Sequence, residues 1–204
     1  GWAAYVSSNS YGTSTAVDSE GNVFMAGYAT GINQPNNVNI YGSKSVTTAA
    51  ATNIIATGIA GAFLVKFNST GDPLWYAKID DAGATQETPF GIAVDKTDDS
   101  VYIVGSSSTA TTAAQVFNSN LYGFTSSVQL LFPAQSAAFV VKYSSSGLAL
   151  WRAYVDGSSV VDTSRAITID SQQNVIMVGV TGNAPATIYS SNTVPTSTIS
   201  MIRS

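Results

Sequence analysis

Histidine and cysteine are both absent from this chain, so acid–base and metal chemistry would fall to its carboxylates. That removes Ser-His-Asp and Cys-His nucleophilic systems and the usual zinc ligand sets. Three aspartates, Asp18, Asp95 and Asp170, recur at offsets of 77 residues (Asp18 to Asp95) and 75 residues (Asp95 to Asp170), each at the head of a polar turn. Two roles suit such a position: an oxygen ligand for Ca²⁺, or a cap that hydrogen-bonds the turn's own backbone. Recurrence as a single carboxylate favours the cap, because Ca²⁺ wants more than one carboxylate per site. Only the second unit adds acids at the same turn, so Asp95, Asp98 and Asp99 form the candidate calcium site. Asp80 and Asp81 are neighbours, and on a strand they would point to opposite faces. A glycosidase-type pair, which needs two carboxylates about 5–10 Å apart, cannot be drawn from the remaining acids. No residue is nominated as catalytic or as a binder of an organic cofactor. The expectation is a protein that is not an enzyme.

These acids occupy fixed places in a repeated unit. Ala62-Phe63-Leu64-Val65-Lys66-Phe67-Asn68-Ser69-Thr70-Gly71 returns 76 residues later (Ala62 to Ala138) as Ala138-Phe139-Val140-Val141-Lys142-Tyr143-Ser144-Ser145-Ser146-Gly147, and Leu74-Trp75 returns as Leu150-Trp151. A fixed internal period marks a modular array. Four segments recur. The first is Ala62 to Phe67 and Ala138 to Tyr143. The second is Trp2 to Val6, Leu74 to Ile79 and Leu150 to Val155. The third is Thr15 to Asp18, Gly91 to Asp95 and Ala166 to Asp170. The fourth is Val23 to Gly27, Val101 to Gly105 and Val175 to Gly179.

Each segment is short and rich in β-branched and aromatic residues, separated by Asx- and Gly-containing turns, which predicts strands joined by hairpins. Val23-Phe24-Met25-Ala26, Val101-Tyr102-Ile103-Val104 and Val175-Ile176-Met177-Val178 do not alternate apolar with polar, so both faces of these strands should be covered. Four-stranded antiparallel sheets sandwiched between neighbours are the packing of β-propeller blades. The expected fold is therefore all-β: three four-stranded blades in one repeat domain, with units at residues 1–61, 62–137 and 138–198 and a leftover first strand at 199–204. Long insertions, Thr30 to Gly61, Ser106 to Ala137 and Thr181 to Ile199, are expected between blades. They share Ile40-Tyr41-Gly42, Leu121-Tyr122-Gly123 and Ile188-Tyr189-Ser190, which makes Tyr41, Tyr122 and Tyr189 candidate interface or ligand aromatics. Trp2, Trp75 and Trp151 could stack on sugars, but a fixed strand position beside an apolar neighbour favours packing between blades.

The 204 residues are 45% apolar, enough for a substantial core, yet only 10% are charged, against roughly 25% in an average soluble domain. The formal charge is −4 and the few Lys and Arg are scattered, which excludes a nucleic-acid surface. Apolar runs are too short for a membrane-spanning helix. A surface built of Ser, Thr and Asn suits an extracellular or cell-surface protein, and Asn68-Ser69-Thr70 is an N-glycosylation sequon on a turn.

The unit reads Ala-Phe-x-Val-Lys-aromatic, a turn, Leu-Trp, then Ile-Ala-Val-Asp, a turn, and Val-Tyr-x-x-Gly. It resembles the SBBP family of β-propeller repeats, found in large secreted and surface proteins. Ala62 to Gly105 carries the resemblance most fully, then Ala138 to Gly179, with Trp2 to Gly27 a partial copy. The resemblance implies a propeller fold and an extracellular setting, and implies no enzymatic activity.

The first unit starts at its second strand, which suggests a processed or excised chain. The match of Met201-Ile202-Arg203 to Leu64-Val65-Lys66 makes Ser200, Met201, Ile202 and Arg203 the candidate assembly strand. It would complete the first blade of its own chain or of another copy, by strand addition. Three blades are fewer than the usual minimum of about four for a closed propeller, which favours copies of itself as partners and a filament, sheath or surface layer as product. The alternative is a carbohydrate- or protein-binding module, with glycans as partners of the insertion face.

Overall fold

The computed structural model describes residues 1–6, 9–30, 37–38, 40–42, 54–55, 60–80, 86–108, 114–123, 126–130, 137–156, 162–181 and 187–190. The described elements are strands apart from one 3₁₀ turn, Asn120–Tyr122. In chain order they are β1 (Tyr5–Val6), β2 (Ser10–Val17), β3 (Val23–Thr30), β4 (Asn37–Val38), β5 (Ile40–Tyr41), β6 (Ile54–Ile55), β7 (Ala60–Phe67), β8 (Pro73–Asp80), β9 (Glu87–Val94), β10 (Val101–Ser107), β11 (Ala114–Phe117), β12 (Ser126–Leu130), β13 (Ala137–Tyr143), β14 (Ala149–Asp156), β15 (Thr163–Ile169), β16 (Val175–Val180) and β17 (Thr187–Ser190).

All pairings are antiparallel. Sheet I runs β12-β11-β8-β7-β3-β2 and sheet II runs β17-β14-β13-β10-β9. A half-sheet β1-β5 lies behind sheet I, a hairpin β15-β16 lies in front of sheet II, and β4-β6 form a small separate pair. The inner strands β2, β9 and β15 lie side by side, so the sheets fan out from one line. This is an all-β, propeller-like arrangement, as the strand pattern predicts.

The grouping of strands differs from the sequence units. Each sheet takes its third- and fourth-segment strands from one unit and its first- and second-segment strands from the next: β2-β3 with β7-β8, and β9-β10 with β13-β14. The divisions at residues 61/62 and 137/138 therefore fall inside sheets. The insertions Thr30 to Gly61 and Ser106 to Ala137 join neighbouring strands of one sheet, not successive blades. The crossing between sheets is made by the short β8-to-β9 and β14-to-β15 connections.

Burial explains the non-alternating strands. Phe63, Val65, Phe67 and Tyr76 on the back of sheet I pack against Ala4, Val6 and Ile40 of the half-sheet. Phe24, Ala26, Leu64, Trp75, Ala77 and Ile79 on its front meet Ile92, Val101, Ile103, Phe139 and Val141 of sheet II. Tyr102, Val104, Val140 and Ala153 on the front of sheet II meet Ile167, Ile169, Val175 and Met177 of the end hairpin. A strand sandwiched this way needs apolar residues on both faces.

The same bulge recurs in all three inner strands, at Thr13, Phe90 and Arg165, opposite Gly27, Gly105 and Gly179. A Cβ on Gly27 would sit 2.3 Å from the Tyr11 carbonyl oxygen, one on Gly105 2.3 Å from that of Thr88, and one on Gly179 2.1 Å from that of Thr163. Only glycine fits so close a backbone approach.

Candidate functional site

The repeated aspartates organise turns. Asp18 Oδ1 accepts the Glu20 and Asn22 backbone N–H groups (3.0 and 2.8 Å), and Oδ2 accepts Asn22 Nδ2 (2.9 Å). Asp170 takes the equivalent bonds from Gln172, Asn174 and Asn174 Nδ2, each 2.8 Å. Asp95 accepts from Thr97 N at 2.9 Å. These are local Asx turns.

The candidate calcium ligands are spent separately. Asp98 accepts from Ser100 N (2.9 Å) and lies 3.6 Å from Lys142 Nζ. Asp99, in a left-handed conformation at φ 53°, reaches across to sheet I and takes Ser19 N and Ser19 Oγ at 2.8 and 2.6 Å. Among the described residues no three His, Cys, Asp or Glu side chains gather into a metal-holding group. Asp80 is buried 3.5 Å from Lys78 Nζ, and Asp81 lies outside the described residues.

Burial opposes the charge on Asp18, but hydrogen bonds from Asn22 and Lys66 outweigh it and hold the carboxyl below its usual range. Asp98 behaves alike, with Ser100 and Lys142 overcoming its burial. A carboxyl depressed in the fold stabilises above its unfolded value and loses that contribution as pH falls through the folded value. Stability should thus hold down to about pH 4 and then decline. Asp18→Asn should flatten that decline, as read by tryptophan fluorescence during acid titration; an unchanged profile would remove Asp18 from the acid response.

Trp2 and Trp75 tie neighbouring layers of the fan through their ring N–H groups. Trp2 Nε1 donates to the Ser69 carbonyl (2.9 Å) and Trp75 Nε1 to that of Ser145 (3.0 Å), equivalent positions in successive hairpins. Trp75 packs edge-on against Phe24 at 5.8 Å, and Trp151 against Tyr102 at 5.7 Å. Lys66 and Lys142 each lie 5.0 Å over the same aromatic positions, Phe24 and Tyr102.

The sequon forms another polar turn. Asn68 Oδ1 accepts from Thr70 N, Thr70 Oγ1 and Asp72 N (3.0, 2.8 and 2.8 Å), which leaves the exposed Ser69-Thr70 edge on the surface.

The insertions contribute a repeated edge strand that shared letters only partly reveal. The second-segment strands β1, β8 and β14 pair with β5, β11 and β17. Val6 lies opposite Ile40, Ile79 opposite Val116, and Val155 opposite Ile188. Tyr41 and Tyr189 are therefore equivalent, and the position between them belongs to Phe117, not Tyr122. Tyr122 ends the 3₁₀ turn, stopped by Gly123 in a left-handed conformation. Tyr41 stacks on Tyr5 at 4.6 Å, and at the matching site Lys78 sits 4.4 Å over Phe117. The apolar–aromatic dipeptide Val116-Phe117 is the signal that finds this strand.

The end hairpin is less covered than its equivalents. Ile176, Val178 and Val180 of β16 are 47%, 56% and 60% exposed, whereas Phe24 and Ala26 of β3, Val104 of β10 (all 0%) and Tyr102 (3%) are buried. Among the described residues β16 pairs only with β15, while β3 and β10 pair on both sides. The candidate assembly strand Ser200, Met201, Ile202 and Arg203 lies outside the described residues.

No family profile matches the chain. It is 29% identical over 177 residues, 87% of its length, to an uncharacterized WD repeat-containing protein of Acanthamoeba polyphaga mimivirus, and spans 12% of that protein's length. The sheet fan is an all-β, propeller-like fold, and the relative it resembles is named for WD repeats.

Proposed function

We propose that the chain is a non-enzymatic structural module, built from SBBP-type propeller repeats, that joins copies of itself into an extracellular or cell-surface assembly. The observation that carries this reading is the end hairpin: among the described residues β16 pairs on one side only, whereas its equivalents β3 and β10 pair on both, and Ile176, Val178 and Val180 are exposed. Such an edge invites strand addition. The sequence match of Met201-Ile202-Arg203 to β7 and β13 supplies a fitting strand. The sparse charge supports a packed or extracellular setting. A binding-module reading would draw on the insertion aromatics, but Tyr41 is engaged by Tyr5 and Phe117 by Lys78.

Light scattering behind size exclusion at micromolar protein tests the reading. The intact chain should form concentration-dependent oligomers, and deletion of residues 199–204 should shift them toward monomer. A compact monomer indifferent to that deletion would overturn it.

A further inference from the structure

Two exposed apolar surfaces at opposite ends of the fan are repeat-equivalents of surfaces that pack together twice inside it. In the first internal joint, Ala16, Phe24 and Ala26 on the front of sheet I meet Ile92, Val94, Val101 and Ile103 on the back of sheet II. In the second, Tyr102 and Val104 meet Ile167, Ile169, Val175 and Met177. Strand pairing and the repeat carry each set forward and backward by one position. The front set becomes Thr168, Ile176 and Val178 on the end hairpin. The back set becomes Thr15, Val17, Val23 and Met25 on β2 and β3.

The front set is exposed, and the back set is exposed at Thr15 and Val17 and half-buried at Val23 and Met25. The half-sheet β1-β5 covers Phe63, Val65, Phe67 and Tyr76 on the outer part of sheet I's back. Met25 of β3 packs at the edge of that cluster, while on β2 Val17 is 48% exposed and Thr15 on the same face is exposed as well. On the end hairpin, Thr168 is exposed beside Ile176 and Val178.

We propose that the front of the β15-β16 hairpin of one copy packs on the β2-β3 back face of a second copy, beside that copy's β1-β5 half-sheet. This rests on the assembly reading and specifies its contact. The joint repeats an internal sheet-to-sheet interface across two molecules. Ile176 and Val178 take the places of Phe24/Ala26 and Tyr102/Val104, and Val17 and Met25 take those of Val94/Ile103 and Ile169/Met177. Different surfaces meet, so the contact is head-to-tail, and the growing assembly keeps one free surface of each kind, one at either end, unless a ring closes. The arrangement leaves a first-strand position between β16 and the neighbour's β1, as β7 lies between β3 and β8.

Val178→Asp and Val17→Asp test it, since each changes one exposed surface and leaves the other intact. Each variant alone should self-associate about tenfold or more weakly than the unaltered chain, because docking would bury an unpaired carboxylate. Mixed in equal amounts, they should form a 1:1 dimer that grows no further, its intact Val178 surface from one variant seated on the intact Val17 surface of the other. Circular dichroism and thermal melts matching the unaltered chain establish that both variants are folded. If the unaltered chain assembles and both variants assemble equally well, this contact is wrong while the assembly reading stands. Two monomeric variants that stay monomeric when mixed would overturn the head-to-tail geometry. An unaltered chain that remains monomeric overturns both.

Discussion

Phe139→Ala is expected to lower the unfolding free energy by about 3–5 kcal/mol, the range for deleting a fully buried aromatic ring. Phe139 is completely buried between sheets I and II. It stands opposite Gly105 in the β10-β13 register, and its Cζ lies 2.7 Å from where a Cβ on Gly105 would be. The ring thus fills space that the glycine vacates. Two fully paired sheets bound the resulting cavity and cannot easily collapse into it. Urea denaturation should show a lower midpoint with an unchanged slope. Phe63→Ala is the internal comparison. Phe63 sits over Gly27 in the same way, Cζ 2.5 Å from that Cβ position, but it faces the two-stranded β1-β5 half-sheet. A small half-sheet can move inward, so the loss should be smaller. Equal losses would mean that the cost is set by the Gly–Phe contact rather than by the sheets around it.

That pairing was partly legible beforehand. The repeat places a glycine at 27, 105 and 179 and a phenylalanine at 63 and 139, and the doubly apolar runs around Phe24, Tyr102 and Ile176 announce strands covered on both faces. What the letters do not show is which four strands share a sheet. A long insertion looks like the natural bridge between blades, yet loop-closure entropy grows only slowly with length. The β3-to-β7 connection can therefore be long while the strands remain neighbours, and the short β8-to-β9 connection makes the crossing. The turn aspartates were legible because an Asx turn is local: Asp18 and Asp170 bond residues two and four positions on. The Asp99 contact was not legible, because its partner, Ser19, lies 80 residues away in another sheet. The equivalence of Tyr122 with Tyr41 and Tyr189 does not hold, for a related reason. Shared Tyr-Gly letters at Tyr41 and Tyr122 outweighed the less similar Val116-Phe117, whereas strand pairing responds to register.

Lys66→Met should cost about 3 kcal/mol at neutral pH, the lower end for breaking a buried ion pair by removing one partner. Lys66 and Asp18 are both buried, with Nζ 3.0 Å from Oδ2. The ammonium also donates to the Ser145 carbonyl at 3.2 Å, linking the turn of sheet I to a hairpin of sheet II. Methionine keeps the packing over Phe24 but leaves the Asp18 carboxylate with only its Asn22 and Glu20 donors. With the cation gone, burial is less opposed and the Asp18 carboxyl titrates at higher pH than before. The deficit relative to the unaltered chain should therefore be full above about pH 5 and shrink as pH falls and the carboxyl protonates in both proteins. Asp18→Asn added to Lys66→Met should recover part of the loss, because the amide keeps an acceptor for the turn without an uncompensated charge. The equivalent Lys142 supplies the contrast. It lies 3.6 Å from an Asp98 side chain that is 53% exposed. Breaking a pair with so solvated a partner is expected to cost about 1 kcal/mol or less. Denaturant titrations of both single variants decide whether burial, rather than the repeated lysine itself, sets the strength of the latch, and a Lys66→Met loss no larger than that of Lys142→Met would show that it does not.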